Sequence, residues 1–154
     1  MGPSGRITQA FLTAQLTPLV KMYTLGHDFV PAGIHAGGLR YHGDSPLVSQ
    51  LFHEGLLEAQ AYNQTAVFQS AVSFARSEGL LPAPESSHAI HAAVVEAKRA
   101  DQEGRQKTIL FNLSGHGFFD LTAYDDFLNG RLQDYEYPKE KIAEALHRLP
   151  KVGA

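Results

Sequence analysis

The chain contains no cysteine, which excludes disulfides and thiolate metal sites. It also lacks an excess of either charge. Thirteen Lys and Arg stand against 16 Asp and Glu, a formal net charge of −3. That balance leaves no electrostatic footprint for nucleic acid. No apolar run in the sequence approaches the roughly 20 residues needed to cross a bilayer. The first residues, Met1-Gly2-Pro3-Ser4-Gly5-Arg6, have neither the apolar core of a signal peptide nor the arginines of a transit peptide, so a cytoplasmic protein is expected. Internal repeats, low-complexity tracts, the Walker A pattern and the dinucleotide-binding glycine fingerprint are all missing.

What is present is ordinary globular material. The 154 residues are 44% hydrophobic and 19% charged, enough for one domain with a real core. Residues 1–16 show no clean periodicity. A short helix is expected around Pro18–Leu25, with Pro18 in its first turn. The remainder of 17–45, rich in Gly, Pro, His and aromatics, reads as one long loop.

From residue 45 the pattern is regular. Ser45 and Pro46 open a helix whose apolar face is Leu47, Val48, Leu51 and Phe52, ended by Gly55. Leu57–Tyr62 reads as a strand. Asn63 or Thr65 caps a second helix carrying Val67, Phe68, Ala71, Phe74 and Ala75 at helical spacing, with Gly79 as its stop. Leu80-Leu81-Pro82-Ala83-Pro84 is held out of helix by its prolines. Ser86 or Ser87 caps a third helix reaching Gln102, with Ala89, Ile90, Ala93, Val94 and Ala97 towards the core and Gly104 as its end. Thr122 and Asp125 begin a short helix, Ala123–Asn129, stopped by Gly130. The tail from Leu132 is peripheral, with a helix over Lys139–Arg148.

Between the third helix and the short helix Ala123–Asn129 lies Lys107–Gly117. Thr108-Ile109-Leu110-Phe111 is a short apolar run that reads as a buried strand. It closes in the turn Ser114-Gly115-His116-Gly117. Helical crossovers between apolar strands imply an α/β fold with a small parallel sheet flanked by helices. Ligands bind such sheets at the carboxyl ends of their strands, and glycines there let a ligand approach the backbone. The expected organisation is a loop-rich, non-autonomous segment 1–45, an α/β part 46–131 and a tail 132–154.

Three constellations carry chemistry. Glu85, His88 and His91 have the Glu-x-x-His spacing of helical metal sites. A second motif would be needed to complete such a site, and the plain reading is a helix-start carboxylate with two ordinary histidines. Ser114 stands at a strand-to-turn junction, but a nucleophile elbow requires glycine where Asn112 lies. Its hydroxyl bonds either backbone or a ligand, and the ligand is the reading carried forward. Residues 34–43, Ile-His-Ala-Gly-Gly-Leu-Arg-Tyr-His-Gly, are either an exposed flexible loop or an anion-binding loop that presents backbone N–H groups with Arg40.

Two stretches, Leu81-Pro82-Ala83-Pro84-Glu85-Ser86-Ser87-His88-Ala89 and Leu110-Phe111-Asn112-Leu113-Ser114-Gly115-His116-Gly117, resemble the C-terminal part of the tryptophan synthase β chain. That is a fold type II pyridoxal-phosphate enzyme, a three-layer α/β sandwich. Tyr23–Pro31 and His35–Gly43 resemble the second, divergent group of β chains, which work without the usual α-subunit interface. The resemblance runs from about Thr13 to Leu132. It implies a homodimeric lyase of tryptophan biosynthesis that condenses indole with L-serine or O-phosphoserine.

Residue by residue, the resemblance makes Ser114 the partner of the cofactor's pyridine nitrogen, within a cofactor-binding loop that includes Asn112 and Gly115. A neutral hydroxyl does not force that nitrogen to stay protonated, so the ring is a weaker electron sink, suited to β-replacement. Glu85 becomes the catalytic carboxylate beside the incoming indole. Leu39, Tyr41 and Gly43 take positions whose backbone carbonyls hold a monovalent cation. Two residues depart from the common β chain, which has arginine at His116 and aspartate at Arg40. Both positions face substrate, and Arg40 in place of a carboxylate implies an anionic leaving group such as that of phosphoserine. The family's Schiff-base lysine and glycine-rich phosphate cup belong to its N-terminal domain, and no lysine here stands in a matching context. The expected alternative is therefore a catalytically inactive fragment, or half of a split enzyme, with apolar surface left bare.

Overall fold

A computed structural model describes residues 7–10, as backbone, and residues 20–149. The chain divides into two compact units. The first contains the residues up to Gly33, residues 40–61, and those from Glu136 onward. The second contains residues 34–39 and 62–135.

In the first unit, β1 (Ile7–Ala10) pairs antiparallel with β2 (Val20–Tyr23), with Ile7 opposite Tyr23 and Ala10 opposite Val20. The helix expected around Pro18–Leu25 is thus a strand over its described part, and Pro18 itself lies outside the described residues. The reason is a two-residue alternation. Met22, Thr24 and Gly26 are buried while Lys21 is exposed, which is the periodicity of a strand and not of a helix.

The long loop after β2 is also more organised than the sequence suggests. Thr24 forms a bridge with Gly43, Leu25 N donates to the His42 carbonyl at 3.0 Å, and Asp44 N donates to the Tyr23 carbonyl at 2.9 Å. A Cβ at Gly43 would sit 2.9 Å from Met22 Sδ, so glycine is what lets the two segments close.

Helix α1 (Pro46–His53) starts as read, with Pro46 in its first turn. Its expected apolar face is not a core, however. Leu47 is 78% exposed, and Val48 and Leu51 are exposed as well. The residue it buries is Ser49, whose hydroxyl accepts from Tyr23 N at 3.0 Å.

The second unit is built on α2 (Gln64–Glu78), α3 (Pro84–Gln102) and α4 (Leu121–Leu128). In the first unit, α5 (Lys139–His147) forms within one residue of its predicted span. The core of the second unit is Phe68, Ala71, Ala123 and Tyr124, with Val72, Leu81, Phe127 and Leu132 packed against it. The Phe68 ring meets Tyr124 edge-on at 5.0 Å and stacks on Phe127 at 5.9 Å. Gly79 ends α2 at φ +70°, its N–H donating to the Ala75 carbonyl.

Both α3 and α4 begin before their predicted starts, α3 by three or four residues and α4 by two. Pro84 takes the first position of α3, which places Ser86 and Ser87 inside the first turn and not at its cap. Asp120 holds the cap position of α4, and neither helix has a side-chain capping bond. Ile90 and Ala100 are the buried residues along the body of α3, while Ala97 is exposed.

The expected parallel sheet does not form among the described residues. Neither Leu57–Tyr62 nor residues 107–113 make a strand, and β1 with β2 is the sheet present. A strand exists only where it pairs with another, and neither segment is paired with a strand among the described residues. Leu110, read as buried, is 96% exposed. No helix among the described residues is long and apolar enough to cross a membrane.

The buried Tyr124 hydroxyl donates to the Pro82 carbonyl at 2.6 Å. Tyr124→Phe leaves that carbonyl without its donor and is expected to cost about 1–3 kcal/mol, read as a lower midpoint in urea unfolding. An unchanged midpoint would show that the bond does not hold the unit together.

Candidate functional site

The site candidates of the second unit gather where Leu81–Ser87 meets Ser114–Gly117. Proline sets the first segment. Pro82 and Pro84 are fully buried, and both fix φ without asking for a hydrogen-bond acceptor. The carbonyls between them are used instead. Leu81 O accepts from Gly117 N at 2.9 Å, Pro82 O accepts from Tyr124, and Ala83 O accepts from Ser87 Oγ at 2.8 Å.

Two glycines make the approach possible. Gly115 has φ +70°, with Ala83 Cβ only 3.3 Å from where its own Cβ would stand. At Gly117 a Cβ would fall 2.6 Å from Pro82 O and 2.9 Å from the Tyr124 ring. The glycines read from the sequence as room for a ligand are therefore also what packs the turn against the proline segment.

Ser86, buried in the first turn of α3, reaches across to the turn. Its Oγ donates to the Ser114 carbonyl and lies 3.2 Å from Ser114 Oγ. Ser114 is exposed, so its hydroxyl is held from behind and open in front. Neighbouring Asn112 and Gly115 are exposed too. His116 is exposed, with Nδ1 accepting from Phe118 N at 3.3 Å and its ring tilted against Phe118 and Phe119.

Glu85 takes a different partner. Its Oε1 accepts from Gly38 N at 2.7 Å, docking the 3-10 turn Gly37–Leu39 onto the start of α3. A Cβ at Gly38 would meet Glu85 Oε1 at 3.0 Å and Cγ at 3.1 Å. His35 steadies the approach to that turn. Its N donates to Gln64 Oε1 at 3.2 Å, its ring lies 3.7 Å from Asp126, and it meets Phe68 edge-on. The Gly-Gly pair is thus built against a carboxylate, and the N–H of Gly38 is already taken.

The remaining sequence candidates lie elsewhere. Arg40 and Tyr41 are exposed in the first unit, Gly43 is bridged to Thr24 there, and Leu39 closes the 3-10 turn of the second unit. The Glu-x-x-His histidines are engaged in packing. His88 Nδ1 lies 3.0 Å from the Pro84 carbonyl, and His91 Nδ1 lies 2.8 Å from Ser70 Oγ with its ring edge-on to Tyr62. No group of three metal-ligating side chains is assembled among the described residues. Lys107 pairs with Glu103 at 3.7 Å and Glu96 at 4.0 Å.

Ser86 and Tyr124 escape sequence reasoning. The usable signal for Ser86 is the proline two residues before it. A serine after a first-position proline cannot cap the helix, so its hydroxyl is free for another segment.

Burial lowers the pKa of His91 from 6.5, and His88 and Lys98 add to the effect. The unfolded chain therefore binds the proton more readily than the folded one. Stability from neutral His91 is fully present above pH 6.5 and is lost as pH falls below it towards the lower folded value. The unfolding midpoint is expected to fall across that window in the wild type and to fall less in His91→Gln, both read by urea titration at stepped pH. Equal pH dependence in the two would contradict the assignment.

No protein-family model matches the chain. It is 66% identical over 119 residues to the tryptophan synthase β chain 2 of Aquifex aeolicus, covering 77% of this chain and 27% of that one. The tryptophan synthase β chain 2 of Methanosarcina acetivorans is 64% identical over 120 residues, 78% of this chain and 27% of that one. The tryptophan synthase β chain of Pyrococcus horikoshii is 54% identical over 124 residues, 80% of this chain and 27% of that one. The chain spans about a quarter of the length of the curated relatives it matches. Over the matched stretch it belongs to the tryptophan synthase β-chain family and corresponds to that family's C-terminal part.

Proposed function

We propose that this chain supplies one wall of a tryptophan synthase β active site, in which indole is condensed with L-serine or O-phosphoserine to give L-tryptophan. The observation that carries the reading is the closure of Ser86 onto Ser114, which leaves an exposed hydroxyl at the turn. The cofactor of this reading is pyridoxal 5′-phosphate, and the residues fit one edge of it. Ser114 offers a single neutral hydroxyl of the kind a ring nitrogen meets, and Gly115 beside it presents no side chain. Asn112 borders the same edge. When bound, the cofactor supplies the electron sink for β-replacement. The chain's part is to meet the ring nitrogen with Ser114 and to place the Glu85 carboxylate beside indole.

Arg40 and His116 are assigned to substrate binding, Arg40 on the side of an anionic leaving group. The carbonyls of Leu39, Tyr41 and Gly43 are assigned to a monovalent cation. In the full-length fold, residues 57–62 and 107–113 are strands of a parallel sheet within a three-layer α/β sandwich. Residues 1–45 are a non-autonomous segment, 46–131 the α/β part and 132–154 a peripheral tail. The assembly of this reading is a cytoplasmic homodimer.

A second reading is favoured by bare apolar side chains, Leu110 at 96% and Phe119 at 93% exposure. On that reading the polypeptide as it stands is catalytically inactive, or is half of a split enzyme whose lysine and phosphate cup come from another chain.

One experiment separates the two. The chain is mixed with pyridoxal phosphate, indole and L-serine, alone and together with the first three quarters of the Aquifex aeolicus β chain 2, and a separate portion of each sample is reduced with borohydride. No site-specific lysine adduct is expected from the chain alone, whereas the mixture is expected to give a site-specific adduct in the reduced portion and tryptophan in the unreduced one. Tryptophan formed by the chain alone would contradict the split reading. No product from two folded partners would contradict the active-site reading.

The role of Arg40 is checked in a full-length relative that has arginine at this position. Arg40→Asp is expected to lower the phosphoserine-to-serine ratio of kcat/KM by about tenfold or more, the scale of one lost charge-assisted bond. An unchanged ratio would remove the assignment.

A further inference from the structure

Ser86 and Ser114 form a pair in which the protons can be counted. A serine hydroxyl has one proton and two lone pairs. Ser86 uses its proton on the Ser114 carbonyl. In the 3.2 Å contact between the two hydroxyls, Ser86 Oγ can then only accept, so Ser114 must donate. The sole proton of Ser114 points inward, at a buried oxygen on the first turn of α3, and lone pairs are what it turns outward. Ser86 is 3% exposed, so water does not compete for its oxygen.

The geometry points to Ser86 as a positioning residue that holds the Ser114 proton away from the ligand. The inference rests on the reading of Ser114 as the partner of a pyridine nitrogen. A ring nitrogen arriving at Ser114 meets an acceptor unless it displaces that proton from Ser86. The pair therefore donates less well to an unprotonated ring than a lone serine would, and it leaves the ring nitrogen more basic. Electron demand at the cofactor is set by two serines rather than one. Ser86 lies next to Glu85 on the same helical turn, so the residue that tunes the ring and the residue assigned to indole are fixed by one element.

The test uses this full chain combined with the first three quarters of the Aquifex aeolicus β chain 2, and pyridoxal phosphate labelled with nitrogen-15 in its ring. The ring-nitrogen shift is followed against pH for wild type, Ser86→Ala, Ser86→Thr and Ser114→Ala. In Ser86→Ala the freed Ser114 proton turns to the ring, and the bound nitrogen is expected to become about three- to tenfold more acidic, the scale of one neutral hydrogen bond. Ser86→Thr keeps a hydroxyl and is expected to match wild type. The double substitution Ser86→Ala with Ser114→Ala is expected to match Ser114→Ala alone. A merely structural role would weaken binding without moving the acidity of the ring nitrogen. A bound ring with the same acidity in wild type and Ser86→Ala overturns the inference and leaves the Ser114 reading standing. A ring nitrogen that responds to none of these forms overturns both.

Discussion

The second unit depends on how the carbonyls of Leu81, Pro82 and Ala83 are satisfied. The prolines at 82 and 84 hold this segment out of helix and deprive it of two N–H groups. Its carbonyls are left pointing into a packed interior, where an unpaired acceptor is expensive. Donors from three places answer them. They are the Gly117 amide, the Tyr124 hydroxyl, and the amide and hydroxyl of Ser87. One of these sits on the turn after residue 113, one on α4 and one on α3, so a segment of three residues ties together elements separated by forty positions in the chain. Burial raises the pKa of Tyr124, as a phenol working as a donor in an apolar setting should show, with a nearby hydrogen bond to Ser87 acting against it.

The candidate site follows from this constraint. Gly117 must be glycine because the Pro82 carbonyl occupies the place of its Cβ. Once Gly117 is fixed, Ser114 comes within reach of Ser86. Once α3 starts at Pro84, Glu85 faces the Gly37–Leu39 turn and takes the Gly38 amide. A carboxylate and a hydroxyl are thereby placed from consecutive positions of one rigid helical turn. Rigid elements hold polar groups more accurately than loops do.

Much of the helical plan is legible in the sequence, and the reasons are local. The stops at Gly79 and Gly130 are visible because a residue of positive φ is what a helix end demands and glycine supplies it at no steric cost. The starts of α3 and α4 are displaced because serines and threonines attract the cap assignment, whereas Pro84 and Asp120 hold the first turns. Strand β2 is missed because its partner, residues 7–10, shows no pattern of its own, and pairing is a property of two segments together. Residues 107–113 have the composition of a strand and no neighbour to pair with, so composition overstates them. For the candidate site, the resemblance points to Glu85 and Ser114, but their contacts with Gly38 and Ser86 are found only once the segments are seen side by side.

The most direct test of this account is native-state hydrogen exchange in the isolated chain, comparing the amides of Gly117, Gly38 and Leu110. Gly117 and Gly38 donate to Leu81 O and Glu85 Oε1, whereas Leu110 is exposed in a segment without strand pairing. The account predicts that Gly117 exchanges only with global unfolding of the second unit and Gly38 nearly as slowly, while Leu110 exchanges at close to the rate of an unstructured peptide. Gly117 exchanging as fast as Leu110 would mean that the two segments do not close on each other, and that the wall does not exist in this chain.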